Sequence, residues 1–584
     1  MKWVLTESDN GTAAMLAKNA GLHPLVAKLL INRGITDPSD ARSFLSCDLS
    51  ELSSPELFSQ MGQAVGRIRT AIASEEKIVV YGDYDVDGVT GASLLYLALK
   101  ALGARVDCYI PDRMTEGYGL NPHALETLKT SGVGLVISVD CGITAVREAE
   151  RARSIGLDLI ITDHHEFLYS DPGPGAPVPE MVLPDAHAVL HPALLSSGAS
   201  PALRESVKGL TGVGVAFKLA QALLGADAQD ERLKSYLDLV TLGTVADVGR
   251  IRGENRILVR HGLEMMSSDG AKQRPGIAAL KQVANLNDKK IGVGIVGFTL
   301  APRINASGRM ERADMAFRLL TTDSREEALT IATSLDGVNR ERQAVEEGIW
   351  NDARRLCLQT DTDASGAFVL ESEAWHPGVI GIVASRIVEA FFRPTALICV
   401  RDGVGKGSAR SIPGFDLYAG LVACKDLLLG FGGHKYAAGF TIAKDNIPLF
   451  RERLSSLVLE RIGPEGFVRT LSIDSAVTLD ELTMDLMQEM ERLAPFGQGN
   501  PEPRLGARGL DVVSSRIVGK DHLKLQLRQQ GGAPLGAIAF KRGDLFGKQA
   551  RDGARLAAVF TPRLNAWNGR TTVELEIKDL KTDK

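Results

Sequence analysis

The stretch KIVVYGDYDVDG, residues 77–88, decides the reading of this chain. A short β-branched run, Ile78 to Val80, gives way within three residues to Asp83, Asp85 and Asp87 and then to a glycine. Three more runs of the same kind follow: ARVDCYI (104–110), GLVISV (134–139) and LDLIIT (157–162), each set apart by a stretch able to form a helix. Strands alternating with helices imply α/β architecture, a doubly wound parallel sheet.

Several of these runs end in metal-ligand residue types, at the edge where open α/β sheets place their sites. The first ends in Asp83, Asp85 and Asp87, the third in Asp140, and the fourth in Asp163, His164 and His165. A further contributor is Asp247 in DLVTLGTVADVG (238–249), read as another strand end. Carboxylates with one or two imidazoles suit Mn²⁺ or Mg²⁺ better than a thiolate-loving metal, and the number of ligands implies two ions. Ions about 3.5–4 Å apart activate water and steady an in-line phosphoryl displacement, which points to hydrolysis of a phosphate ester. D-x-D after a strand also occurs in aspartyl-phosphate enzymes, and Asp-Gly is an ordinary turn signal. The order D-x-D, D, D-H-H, D on one sheet is much harder to obtain by chance.

Outward from this core, residues 1–60 show helix-like spacing at Leu25, Val26, Leu29 and Leu30 and are expected to form an N-terminal helical extension. The catalytic α/β domain is placed at 61–320. A connector helix is expected at 321–358, where Ala328, Ile331, Leu335, Val338, Val345 and Ile349 fall mostly at helical spacing. A second α/β domain follows at 359–464, with GKGSARSIPG (405–414) and GFGGHKYAAG (430–439) read as Gly-rich turns. From 465 to 584, short β runs between Gly, Pro and Asn turns suit a small all-β barrel or sandwich, a segment that also resembles an OB-fold.

Length alone requires several domains in 584 residues. With 44% hydrophobic and 24% charged residues, the composition is that of an ordinary globular protein. No apolar run approaches the roughly 18–20 residues needed to span a bilayer, and MKWVLTESDNG turns polar too early for a secretory signal. A cytoplasmic location without membrane association is expected. The six cysteines contain no C-x-x-C pair and read as reduced core residues. The net charge is −5, but residues 501–584 carry 16 Lys plus Arg against 9 Asp plus Glu. The acidic remainder can host metals, and the basic tail can hold nucleic acid or be a solvated surface.

YGDYDVDGVTG, SVDCG, TDHH and GTVADV resemble, in order, the four metal motifs of the DHH phosphoesterases, most of all those of the single-strand exonuclease branch. PDRMTEGYGL, APRINASGRM, WHPGVIGIVASR, GKGSARSI, GGHKYAAGF and LAPFGQGNPEP resemble it further, so the likeness runs from about 77 to 504. It implies a metal-dependent exonuclease that removes 5′ nucleotides from single-stranded DNA in repair and recombination, with two Mn²⁺ or Mg²⁺ ions. Asp85 and Asp140, with Asp83, would hold one ion. Asp87, Asp140, His164 and Asp247 would hold the other, with Asp140 bridging. His165 would face the scissile phosphate, making His165, Asp85 and Asp140 the catalytic residues. Pyrophosphatase relatives have a histidine four residues before D-x-D where Tyr81 stands here, so Asp83 is the substitute candidate.

The same resemblance assigns Arg113, Ser408 and Arg410 to the 5′-phosphate. Arg303, Arg309 and Arg312, around an Asn-Ala-Ser-Gly turn, would track phosphates, as would His434 with Lys435 in its Gly-rich turn. In the barrel, Lys520, Lys524, Arg528 and Trp567 are candidates for a single-strand groove, although such a tryptophan is more often core than stacking platform. Expected partners are single-stranded DNA, a single-stranded-DNA-binding protein and a helicase, with a monomer as the expected state. Two rival readings stay open: a phosphoesterase of the same superfamily acting on short oligonucleotides, and a non-catalytic DNA-binding scaffold.

Overall fold

The computed structural model describes residues 1–583 apart from 113–115, 171–179, 226, 228, 269–272, 311–313, 361–364 and 568. It forms two compact units. The larger comprises Trp3–Ala301, Phe317–Ala328 and Leu471–Lys584; the smaller comprises Met1–Lys2, Pro302–Ala316 and Leu329–Thr470.

The heart of the larger unit is a five-stranded sheet in the order Val106–Tyr109, Lys77–Gly82, Val133–Val139, Asp158–Thr162, Ala188–Leu190. Every neighbouring pair is parallel. Ile78 to Tyr81, Leu135 to Ile137 and Leu159 to Ile161 are almost fully buried, because crossover helices cover both faces of such a sheet and leave no place for alternation. Register sets the site. Gly82 lies opposite Val139, Val139 opposite Thr162, and Thr162 opposite Leu190. Asp83, Asp140 and Asp163 therefore leave the sheet side by side, and their amides extend the ladder by one bond each, to Val139 O (3.2 Å), Thr162 O (2.9 Å) and Leu190 O (3.1 Å). The chain order reverses between the first and third strands met in sequence, which is where open α/β sheets open a crevice.

Residues 505–582 of this unit close into a five-stranded barrel. Leu505–Val518 pairs with both His522–Gln529 and Arg555–Trp567, and Leu535–Ala539 and Arg570–Thr582 complete the ring. The N-terminal helices, Asn10–Ala20, Pro24–Ile31 and Pro38–Ser46, share one apolar core with it, in which Leu16, Val26, Leu29 and Leu30 meet the barrel residues Leu505, Leu525, Phe560 and Leu575. Buried Arg33 fastens the two by donating to Asn500 Oδ1 (2.7 Å) and to the Leu29 and Pro501 carbonyls. The Asn of LAPFGQGNPEP is thus a structural clamp, which also donates to the Leu493 and Pro495 carbonyls.

The smaller unit carries a sheet in the order Leu428–Gly433, Ala437–Ala443, Val404–Arg410, Thr395–Arg401, Phe368–Ser372. Here two expectations need correction. The runs GKGSAR and GFGG are not turns but paired strands; the turn after the second run falls at 434–436, before the strand Ala437–Ala443. Glycine is needed in place of a larger residue because a Cβ on Gly407 would run into the ring of Phe440 on the paired strand. The supposed Asn-Ala-Ser-Gly turn is likewise a helix, Ala301–Met310, since no residue in it obliges a positive φ. The long connector is a single helix of 35 residues, Arg325–Gln359, with Ala328, Leu335, Val338, Ile349 and Ala353 on its buried stripe. No single helix among the described residues is long and apolar enough to cross a membrane, and all six cysteines are free thiols.

Candidate metal centre

Each ligand candidate is placed by a different local device. Asp85 is the N-cap of the helix Val86–Ala101 and accepts from the amides of Asp87 (2.9 Å) and Gly88 (3.1 Å). Asp87, one residue into that helix and fully buried, accepts from the Gly212 amide (2.7 Å), the Val213 amide (2.9 Å) and the Thr211 hydroxyl (3.2 Å). Those donors open the helix Gly212–Leu224, whose N-terminal amides suit an anion. Asp140 sits at φ +63, a left-handed conformation that aspartate tolerates better than most residues, and Gly212 is the neighbour whose missing Cβ leaves it room. Asp247 is not at a strand end, as the sequence suggested; it caps the C-terminus of the helix Leu237–Ala246. A helix that is buried along its length is apolar all round and reads like a buried strand.

These devices bring the candidates together with ligand atoms within 4.8 Å of one another in two groups, Asp83, Asp85 and Asp140, and Asp87, His164 and Asp247, and in a third that overlaps them, Asp140, His164 and His165. Asp140 belongs to both neighbourhoods, because its Oδ1 lies 3.0 Å from His164 Nε2. Among the described residues, neither of those two buried atoms has a hydrogen-bond partner. Burial, and then the neighbouring His165, push His164 down to about 4, so at neutral pH the imidazole is uncharged and one of its ring nitrogens offers a lone pair. Burial and the surrounding carboxylates hold Asp87 and Asp140 well above the usual carboxylate range; burial and Asp85 push Asp247 up to about 7. Unpaired acceptors aimed at a common point, amid carboxylates that cannot all ionise alone, are what divalent cations relieve. Oxygen donors with one imidazole fit Mn²⁺ or Mg²⁺, and the residues present fit a pair of such ions.

The second histidine is treated differently. His165 Nδ1 lies 2.7 Å from Asp163 Oδ1, and Asp163 also accepts from the amides of Ile143, His164 and His165. Burial works against a charge on His165, yet the hydrogen bond and the charge of Asp163 outweigh it and push the imidazole up to about 9. Against its own burial, Asp163 is held below its usual range by the same bond. Asp163 thus belongs to the centre as the partner of His165, a role its motif does not announce; its signal is its register beside Asp83 and Asp140. The Thr211–Val213 cradle was also missed, since nothing in TGVG indicates which side chain it will hold. Tyr81 is fully buried; its hydroxyl donates to Gly119 O (3.0 Å) and its ring stacks on Tyr109, leaving the first position to Asp83.

In the smaller unit, Ser408 and Arg410 lie on the strand Val404–Arg410, both alongside Gly381 in the first turn of the helix Ile380–Phe391. Arg410 Nη1 donates to Ser408 Oγ (3.2 Å) and the Ala409 carbonyl (2.8 Å), and among the described residues no carboxylate pairs with it. Arg303, in contrast, is engaged by Asp336 at 2.9 Å. His434 stands in the 434–436 turn, its amide donating to Ala437 O (2.8 Å). In the barrel, Lys524 reaches Glu574 at 3.6 Å. Arg113 and Arg312 lie outside the described residues, as do the side chains of Arg309 and Trp567.

Comparison with known proteins gives this arrangement its kin. The DHH family N-terminal domain matches residues 77–244, the DHHA1 domain 364–460 and the RecJ OB domain 473–579. A curated relative from Bacillus subtilis (strain 168), named single-stranded-DNA-specific exonuclease RecJ, is 38% identical over 586 residues, covering 99% of this chain and 70% of that protein. The crystal structure of RecJ from Thermus thermophilus in complex with Mn²⁺ superposes with a TM-score of 0.80 at 31% identity, covering 100% of this chain and 80% of that one. Its Mg²⁺ complex gives 0.76 at 30% identity, covering 100% and 79%. Matched domain by domain in order and nearly end to end, this chain belongs to the RecJ family.

Proposed function

We propose that the protein is a metal-dependent exonuclease that hydrolyses single-stranded DNA from its 5′ end, in DNA repair and recombination. The observation that carries this reading is the shared Asp140: one carboxylate, with no hydrogen-bond partner on Oδ1, stands between two groups of ligand atoms. Asp83, Asp85 and Asp140 would hold one Mn²⁺ or Mg²⁺, and Asp87, Asp140, His164 and Asp247 the other. Such a pair supplies an activated water and neutralises the charge that builds on the phosphate.

The chain's own groups do the rest. Thr211, Gly212 and Val213 hold Asp87 still, so that its geometry does not depend on substrate. Asp163 keeps His165 with a proton on Nδ1 and raises its proton affinity, which suits it to donate from Nε2 to a phosphate oxygen or to the departing 3′ oxygen. Arg410, without a carboxylate partner among the described residues, and Ser408 would take the 5′-phosphate, together with Arg113. Arg303 and Arg309 of the helix Ala301–Met310, and His434 in its turn, would grip the strand further along, as would the barrel through Lys520, Lys524 and Arg528. A single-stranded-DNA-binding protein and a helicase would deliver the strand to a cytoplasmic monomer.

The test is digestion of 5′-labelled and 3′-labelled single and double strands with Mn²⁺, Mg²⁺ and chelator. Release of 5′-labelled mononucleotide from single strands alone, abolished by chelator, is the expected result. Intact long strands beside cleaved dinucleotides would overturn it.

A further inference from the structure

Tyr118, in the loop after the strand Val106–Tyr109, is built in two halves that face different ways. The residue is among the exposed aromatics of the larger unit, 51% accessible. Its hydroxyl reaches inward and donates to the Asp140 carbonyl at 3.2 Å, with His165 Nδ1 also 3.2 Å away. The ring stands edge-on to the His165 imidazole, 5.7 Å between centroids at 74°. The proton count at this point is closed. With the tyrosine proton spent on Asp140 O, the oxygen has only lone pairs to offer His165, so Nδ1 must be the protonated nitrogen. Asp163 makes the same demand on the same nitrogen from 2.7 Å. The two contacts therefore agree on a proton at Nδ1 and on one ring orientation, with Nε2 left for the reacting phosphate.

We infer that Tyr118 is a positioning and substrate-recognition residue of this centre: its hydroxyl ties His165 to the left-handed turn at Asp140, and its exposed ring stacks on the base of the 5′-terminal nucleotide. An aromatic face beside the reacting phosphate accepts any base. The inference rests on the exonuclease reading above and adds a residue to it.

Tyr118→Phe and Tyr118→Ala separate the two halves. On a 5′-phosphorylated single strand with Mn²⁺, Tyr118→Phe should lower kcat by about 10-fold with KM unchanged, since a fixed hydrogen bond to a reacting imidazole is lost while the ring stays. Tyr118→Ala should in addition raise KM by about 5-fold or more, the worth of one base–aromatic stack. That added KM effect should vanish on a strand whose 5′-terminal residue is abasic. In chelator, 2-aminopurine at the 5′ terminus should be quenched on binding wild type and Tyr118→Phe, but not Tyr118→Ala. Wild-type kcat in Tyr118→Phe overturns the tether, and quenching unchanged in Tyr118→Ala overturns the stack. A wild-type protein that leaves 5′-labelled single strands whole overturns the exonuclease reading itself, and the inference with it.

Discussion

Lys218 and Glu254 are as deeply buried as Asp87 and Asp140, and all four lie in the same unit, yet the two pairs have opposite surroundings. Lys218 Nζ meets Glu254 Oε2 at 2.6 Å and also donates to the Ser53 carbonyl, whose residue in turn donates its amide to Glu254. Charge there is cancelled inside the protein, between the helices Gly212–Leu224 and Gly253–Ser267 and the segment that precedes them. On the rim of the sheet, Asp85, Asp87, Asp140 and Asp247 have, among the described residues, no lysine or arginine as ion-pair partner. Compensated burial reads as architecture and uncompensated burial as function, because only the second leaves free energy for a ligand to recover.

The contrast can be broken at four points, taken in order of expected size. Asp140→Ala should cost at least about 10⁴-fold in cleavage, the several kcal/mol of charge stabilisation that a doubly used ligand supplies, while single-strand binding by anisotropy stays near wild type. Turnover retained at saturating Mn²⁺ would remove Asp140 from the bridging place. Lys218→Met should act on stability instead: stranding the Glu254 charge should cost about 3–5 kcal/mol in urea unfolding, with the specific activity of the folded fraction unchanged. A variant as stable as wild type would deny the pair its structural role.

The third test is the sign of a pH effect. Burial and neighbouring carboxylates raise the folded-state proton affinity of Asp140 and Asp87, so the metal-free fold binds more protons than the unfolded chain above the ordinary carboxylate pKa of about 4. The contribution of such groups to stability is fully present below that pH and is lost as pH rises, Asp247 following through about 7. In chelator, Asp140→Asn should therefore be more stable than wild type at pH 7, by about 1–3 kcal/mol, with the gap closing toward pH 4. Excess Mn²⁺ should reverse the order, adding about 2.7 kcal/mol to wild type at a hundredfold excess over its Kd. A gap that widens on acidification would show that the cluster is not self-repelling. Last, Arg410→Ala should erase the advantage of a 5′-phosphorylated end over a hydroxyl end, about 10-fold. An unchanged ratio would take Arg410 out of the phosphate pocket.

The ligand set was legible because the strands that carry it are short, separated by turns and each followed at once by a carboxylate or imidazole. Asp247 stands with the other candidates but at the end of a helix rather than a strand, since a wholly buried helix and a buried strand share one apolar signature. The Gly-rich runs around Ser408 and His434 were misread as turns for a related reason. Glycine marks backbone freedom and close approach alike, and only the ring of Phe440 on the neighbouring strand says which one applies at Gly407.

Local periodicity and the chemistry of single side chains were enough to settle the parallel sheet, the helix that follows D-x-D, the all-β character of the C-terminal region and the residue types that can hold divalent cations. It took the folded arrangement to establish that Asp163 serves His165, that the amides of Gly212 and Val213 hold Asp87, that Asn500 clamps the N-terminal helices, and that Tyr118 touches Asp140 and His165 together. Most of these are contacts between elements distant in the chain, set by strand register and helix docking, and the order of residues along one segment carries no record of them.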